Sequence, residues 1–465
     1  MKNKVWIAII IVIGIAVLGG AGYMVWEKFG DALINEKKTE KDENDDARSS
    51  VVPVYNGGGE VEEFEGFELS KSKYSIISGA TKDDFEAYTK LLAKEGFECF
   101  YETEVNGNLF ETWTDKHTIL TLSHISYEDV ATTDYETESL GNVAYMSIAE
   151  DSMENCSLPA RQEKVEAITS VQLTAVSTEC GYVIRLSDGR FLIFDGGMPD
   201  QASTIYKILD SQNEREGKPI IAAWFLTHGH TDHIGAILQF VENYAERVEI
   251  ETFVHNLPDY DIYNKQNYAE KDGDSVAQNL YDKSVMYYKK IEAFYPDAAM
   301  VIAHAGQRFE YGDIDVDVMY TTENLYKKPM MDTNMSSVIY SITGNGGRMI
   351  VLGDAQDVQC PTLNAIYGST LKCDLIQVAH HGYNGGNAQM YANMNAKYAI
   401  WSNSYTTIIG RSLHIPSKYP RNTFDYKTVE YNIIPIEYGE TIILREGMTK
   451  EELAHYNTQL TDEVQ

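Results

Sequence analysis

His228, His230, Asp232 and His233 crowd into the stretch Thr227-His-Gly-His-Thr-Asp-His233. Imidazole nitrogens and a carboxylate oxygen are the donors that zinc and other first-row cations prefer. One histidine would say little. Donors in the order H-x-H-x-D-H meet only if the chain bends to aim them at one point, and the flanking pattern supplies that bend. Pro219 to Leu226 reads as a buried strand, and Ile234 to Tyr244 has apolar residues at helical spacing. A cation held by such donors lowers the pKa of its bound water toward about 7. The resulting hydroxide attacks phosphorus or a carbonyl carbon, and the cation stabilises the oxyanion that develops. No side-chain nucleophile is needed. Asp232 is the candidate proton acceptor, and His380 and His414 are the candidate proton donors to the leaving group. His414, in Leu413-His-Ile-Pro-Ser417, reads equally well as a surface residue.

The elements around this loop predict a layered α/β fold. Tyr182 to Ser187 and Arg190 to Phe194 form a hairpin about Asp188-Gly189, and Asp195-Gly196-Gly197 closes its second strand. A helix is expected from Gln201 to Leu209. Further on, Val351-Leu-Gly-Asp354 and the pair His380-His381-Gly382, after the strand Leu375 to Val378, add more donors.

Taken together, residues 165–445 resemble the metallo-β-lactamase fold family, an αββα sandwich whose metal loops gather at one edge of two sheets. The resemblance covers about three-fifths of the chain. It implies that Asp195 braces the metal loop and that Asp354 bridges two divalent metals, zinc or, alternatively, manganese. One metal position would take His228 and His230. The other would take Asp232, His233 and, of the final pair, preferably His381, leaving His380 facing the substrate. The family's third motif, a histidine before the bridging Asp, is not matched. His255 and His304 lack its context, and Asn334, in Thr333-Asn-Met-Ser-Ser337, stands where it belongs. That substitution is similar to one subgroup, which includes the β-lactamase-like domain of bacterial DNA-uptake channels and cell-wall phosphorylcholine esterases. The first metal position would then lean on water or Asn334.

The N-terminus carries an address. Val5 to Trp26 is an uncharged run, VWIAIIIVIGIAVLGGAGYMVW, long enough to cross a bilayer as a helix. Lys2 and Lys4 precede it and acids follow, so the positive-inside rule leaves the N-terminus in the cytoplasm and the rest outside. The alternative is a cleaved signal peptide, with Gly19-Gly20-Ala21-Gly22 offering a cleavage site, but such peptides have shorter apolar cores. Residues 27–73 read as a disordered linker, because Glu36 to Ser50 has almost nothing apolar to bury. Residues 74–150 read as a small α+β domain, with a helix capped by Thr81 and Asp84 and a hairpin turning at Asn106-Gly107. Its His117 and His124 read as packed or surface residues. Residues 446–465 form an acidic tail.

A formal charge of −32 counts against nucleic acid as a partner. Cys99, Cys156, Cys180, Cys360 and Cys373 are scattered. That spacing suits buried thiols better than a disulfide framework, although one or two bridges stay open. Asn256 to Asp297 reads as an insertion beside the site, rich in tyrosines (Tyr260, Tyr263, Tyr268, Tyr281, Tyr287, Tyr288 and Tyr295). Such rings could stack on a sugar or enclose a choline-like cation, or simply pack a helix onto the fold. Residues 260–274 are a candidate lid. The reading is a membrane-anchored, extracytoplasmic metal-dependent hydrolase acting on a small-molecule or cell-wall phosphodiester. The alternatives are a nuclease and a non-catalytic metal-dependent binding or sensing module. Oligomeric state is not legible.

Overall fold

The computed structural model describes residues 52–126, 144–164, 171–176, 180–258, 274–325, 333–344, 347–383, 385–404, 408, 424, 428–434 and 441–444. The apolar segment from 5 to 26, the tail from 446, His414 and nearly all of the candidate lid lie outside them. Among the described residues no helix is long and apolar enough to cross a membrane.

The N-terminal unit is a six-stranded antiparallel sheet. Its strands are β1 (Glu60–Glu65), β2 (Lys73–Ser78), β3 (Glu98–Val105), β4 (Asn108–Thr114), β5 (Thr118–Ile125) and β6 (Tyr145–Ser152), in the order β1-β2-β6-β5-β4-β3. Helix α1 (Lys82–Lys94) covers one face, and Thr81 and Asp84 close its N-terminus as a reciprocal capping box. Phe85, Tyr88 and Leu92 pack on Ile77, Leu120 and Leu122. The other face is not solvated. Phe110, Ile125 and Tyr145 enter the same core as Met319, Tyr320 and Ile350 of the second unit, which is why all of β5 is buried. The linker expected over 27–73 therefore ends too late. Phe64 stacks on Tyr74, and β1 pairs with β2 from Glu60↔Ser78 to Glu65↔Lys73.

The second unit stacks two sheets. The first contains β7 (Val171–Ala175), β8 (Gly181–Arg185), β9 (Phe191–Asp195), β10 (Ile220–Phe225), β11 (Glu249–Ile250), β12 (Thr252–His255), β13 (Ala299–Ile302) and β21 (Thr441–Leu444). The second contains β14 (Arg308–Tyr311), β15 (Ile314–Tyr320), β16 (Ile339–Gly344), β17 (Gly347–Val351), β18 (Leu375–Gln377), β19 (Tyr398–Ile400) and β20 (Tyr431–Ile433). Between them lies an apolar layer: Tyr182, Phe194 and Phe225 from one sheet meet Phe309, Val316 and Tyr340 from the other. Helices α2 (Ala202–Gln212), α3 (Thr231–Tyr244) and α4 (Asp274–Phe294) cover the outer face of the first sheet. Helices α5 (Cys360–Tyr367) and α6 (Ala388–Met394) cover that of the second. The result is a four-layer αββα sandwich. β9, β10, β17 and β18 all end at one edge, and the donors sit there.

Candidate metal centre

Each donor stands at a strand end for a local reason. β10 carries a buried apolar run and breaks into the loop Leu226 to His230. α3 then starts at Thr231, with Asp232 and His233 in its first turn. Asp354 follows β17 through Gly353, whose φ is +54°. A Cβ there would lie 2.8 Å from that of Thr227, so only glycine lets the two loops close on each other. His380 and His381 follow β18 with φ of 50° and 55°, and Asp195 ends β9 with φ of 51°. These three are among only seven non-glycine residues with positive φ in the described residues. Left-handed backbone in such side chains costs roughly 1–3 kcal/mol and collects where geometry is held for function.

Asp354 joins the stretches together. Its Oδ1 lies 3.2 Å from His233 Nε2 and 3.5 Å from His381 Nε2. Its Oδ2 lies 3.8 Å from His228 Nε2. His228 Nε2 in turn faces His230 Nδ1 at 3.1 Å, and His381 Nε2 lies 3.1 Å from Asp232 Oδ2. One carboxylate thus reaches two sets of imidazoles with its two oxygens. Donor atoms of His228, His230 and Asp354 all lie within 4.8 Å of one another, and so do those of Cys180, His233, Asp354 and His381.

The backs of the rings are fixed as metal ligands require. Asp195 accepts hydrogen bonds from the Thr227 backbone N–H at 2.7 Å and its hydroxyl at 2.8 Å, and holds His233 Nδ1 at 2.8 Å. His381 Nδ1 donates to the Ser402 carbonyl at 2.9 Å, so its Nε2 faces the cluster. Ser337 reaches two parts of the centre: its hydroxyl accepts the Asp354 N–H at 3.1 Å and lies 3.4 Å from His228 Nδ1.

Burial alone would raise the Asp354 carboxyl. The charges of His233 and His381 outweigh it and hold that group well below the usual carboxylate range. Burial likewise opposes charge on His233 and His381, and Asp354 overcomes it and raises both. His228 moves the opposite way, lowered by its own burial and then by the charge of His233. Asp232 stays ionised because His381 donates to it, against the effect of burial. The cluster is therefore carboxylates that demand positive charge beside an imidazole that refuses a proton. His233 Nε2 and Asp354 Oδ1 are buried yet make no well-directed hydrogen bond among the described residues. These orphaned donors, the mixed nitrogen and oxygen set and the spacing all fit divalent cations.

The metallo-beta-lactamase superfamily model matches residues 181–317, the stretch from β8 through the histidine loop to β15. The second unit has the metallo-β-lactamase superfamily fold. Three solved structures give the scale of the likeness. YhfI of Bacillus subtilis, described as a metallo-β-lactamase fold protein, is 12% identical, with 58% of this chain and 99% of that one covered and a TM-score of 0.34. CmlA of Streptomyces venezuelae, a diiron β-hydroxylase, is 10% identical over 61% of this chain and 55% of its own, with a TM-score of 0.34. Zinc-bound PqqB of Methylobacterium extorquens is 12% identical over 55% and 73%, with a TM-score of 0.30. No curated protein matches the chain.

Within the metallo-β-lactamase domain, the residues singled out in the sequence divide clearly. His228, His230, Asp232, His233, Asp354 and His381 converge, with Asp195 behind them. His380 is set apart: its Nε2 is 4.0 Å from Asp354 Oδ2 and takes a hydrogen bond from Asn334 at 3.2 Å, while Gln356 holds its Nδ1 at 3.1 Å. Asn334 therefore meets the final histidine pair. His255 and His304 are elsewhere. His255 is buried against Tyr287 and Tyr288, and burial beside His304 pushes it down to about 3. Of the two readings of the tyrosines, packing holds for the four that are described. Tyr287, Tyr288 and Tyr295 bury themselves under α4, and Tyr281 packs on Phe67 and donates to Glu68 at 2.8 Å. Tyr260, Tyr263 and Tyr268 lie outside the described residues. His124 is a packed histidine whose Nε2 meets the Ala80 carbonyl at 3.1 Å. All five cysteines are free thiols.

Cys180 was missed. It had been read as one of five scattered thiols, yet it is 1% exposed and borders the metal cluster. The signal was available. A hairpin turning at Asp188-Gly189 pairs Gly181 with Asp195, so the residue before Gly181 must sit at the edge where Asp195 braces the histidines.

Proposed function

We propose that this chain is a metal-dependent hydrolase of phosphodiesters, held at a membrane by its segment from 5 to 26 with the metallo-β-lactamase domain outside the cytoplasm. One observation carries the hydrolytic part: Asp354 presents one oxygen to His233 and His381 and the other to His228. Two divalent cations bound there would supply an acidified water and a positive field for the oxyanion. The chain's own residues do the rest. His228 and His230 define one position, and His233, His381 and Asp232 the other. Asp195 and Ser402 keep the ring nitrogens pointed inward. Asp232, with its side chain 35% exposed, is placed to accept a proton at its carboxylate. His380, steadied by Asn334 and Gln356, is placed to return one to the leaving group. The phosphodiester preference rests on the subgroup resemblance of the Asn-x-Ser, Gly-Asp and His-His-Gly motifs. The anchor rests on the length of the apolar run and its flanking lysines.

The test is metal content and turnover of the full chain. Two cations per chain and hydrolysis of bis-nitrophenyl phosphate or a phosphorylcholine ester, both lost in His230→Ala, would support the reading. A metal-loaded chain inert toward a broad ester and phosphodiester panel would overturn the hydrolytic part. Asn334 in place of a third imidazole favours one second reading, a metal-dependent binding module. One cation per chain without turnover would be its signature. Carbonate extraction of membranes and protease treatment of intact cells test the anchor and its orientation.

A further inference from the structure

We infer that Cys180 is a thiolate ligand of the second metal position, beside His233, Asp354 and His381. This rests only on the metal-binding part of the reading above and is independent of hydrolysis. The Cys180 Sγ, two imidazole nitrogens and an Asp354 oxygen all lie within 4.8 Å of one another. Around a tetrahedral zinc ion a sulfur and a nitrogen ligand stand roughly 3.6 Å apart. The set closes around an ion by drawing in by about an ångström at its widest. His233 Nε2 and Asp354 Oδ1, both buried, make no well-directed hydrogen bond among the described residues.

The sulfur is held on two sides. The Gln377 amide donates to Sγ at 3.8 Å, and His381 Nδ1 lies at the same distance. Cys180 has no disulfide partner to occupy it. Its place is fixed by the β8–β9 register, since Gly181 pairs with Asp195. Binding forms a metal–sulfur bond and breaks the S–H bond, with the proton released to solvent. The chemistry that follows is asymmetric. The first position offers two imidazoles and a share of Asp354, while the second adds a soft sulfur that prefers zinc to manganese. The second position therefore fills first.

The experiment strips the full chain with chelator and titrates it with cobalt(II). A thiolate-to-cobalt charge-transfer band should grow over the first equivalent. It should vanish in Cys180→Ser and persist in Cys99→Ser. Affinity for that equivalent should fall more than about 100-fold in Cys180→Ser, beyond what loss of a residue that only supports a ligand costs. Cobalt binding without the band, or a band that survives in Cys180→Ser, overturns the inference alone; no cobalt binding at all overturns the metal reading with it. Should Cys180→Ser fail to fold, zinc-edge X-ray absorption of the wild type decides. A sulfur scatterer at about 2.3 Å supports the assignment, and only nitrogen and oxygen neighbours overturn it.

Discussion

Among the described residues two clusters hold buried histidines among carboxylates, and they are built to opposite ends. At the contact between the N-terminal sheet and the metallo-β-lactamase domain, His304 Nε2 meets Asp151 at 2.9 Å and Nδ1 meets Glu323 at 2.8 Å. The carboxylates are satisfied in turn: Ser72 donates to Asp151 and Thr321 to Glu323, and Asn256 donates to Glu323 at 3.0 Å. Burial opposes charge on His304, but the two acids prevail and push it up to about 10. At the sheet edge, by contrast, His233 Nε2 and Asp354 Oδ1 are buried without a well-directed hydrogen bond among the described residues. The first network is complete and joins two units. The second is left open, as a site for a guest must be.

Substitutions should separate the two kinds. Asp354→Asn should lower hydrolysis about 10³-fold or more and reduce the number of cations bound, because the carboxylate shared by both sets of imidazoles is gone. Unchanged turnover and metal content would erase the contrast. His304→Ala should cost about 3–5 kcal/mol in denaturant unfolding by stranding two buried carboxylates, with metal content unchanged. The same network predicts a pH signature. Its histidine binds a proton more tightly folded than unfolded, so its stabilisation is complete below about pH 6.5 and drains away as pH climbs through about 10. Melting temperature should fall over that window in wild type and much less in His304→Ala. Asp195→Asn, which loosens the back of His233, should weaken metal binding roughly 10–100-fold by competition with a chelator. The smallest effect belongs to Gln356→Leu. Losing the hydrogen bond to His380 Nδ1 should cost about 1 kcal/mol, read mainly in kcat.

Local signals were legible wherever one stretch of chain decides the outcome. The turn from β10 into α3 could be read from an apolar run ending in polar donors, and the α1 cap from Thr81 and Asp84. The choice between His380 and His381 needed distances, because adjacent residues in left-handed backbone point their rings apart. Cys180 needed a hairpin register carried through to its end. Asn334 could be placed in the chain but not given its partner, since His380 lies far along the sequence. Least legible was the contact between the units. Nothing in the spacing of Ser72, Asp151, His304 and Glu323 announces a network, because burial from the facing unit is what turns ordinary polar residues into one. The same blindness placed the end of the linker after β1, whose glutamates look like spacer until β2 is laid beside them.

Those glutamates have a further consequence. β1, with the sequence EVEEFE, and β3, with ECFYETEV, are the two outer strands of the N-terminal sheet. An outer strand offers unpaired amides and carbonyls to any neighbouring chain. Here a second copy approaching either border would bring carboxylate against carboxylate, on a protein already carrying −32. Crowded at high local density on a surface, such molecules would repel one another at the seams where sheets otherwise fuse.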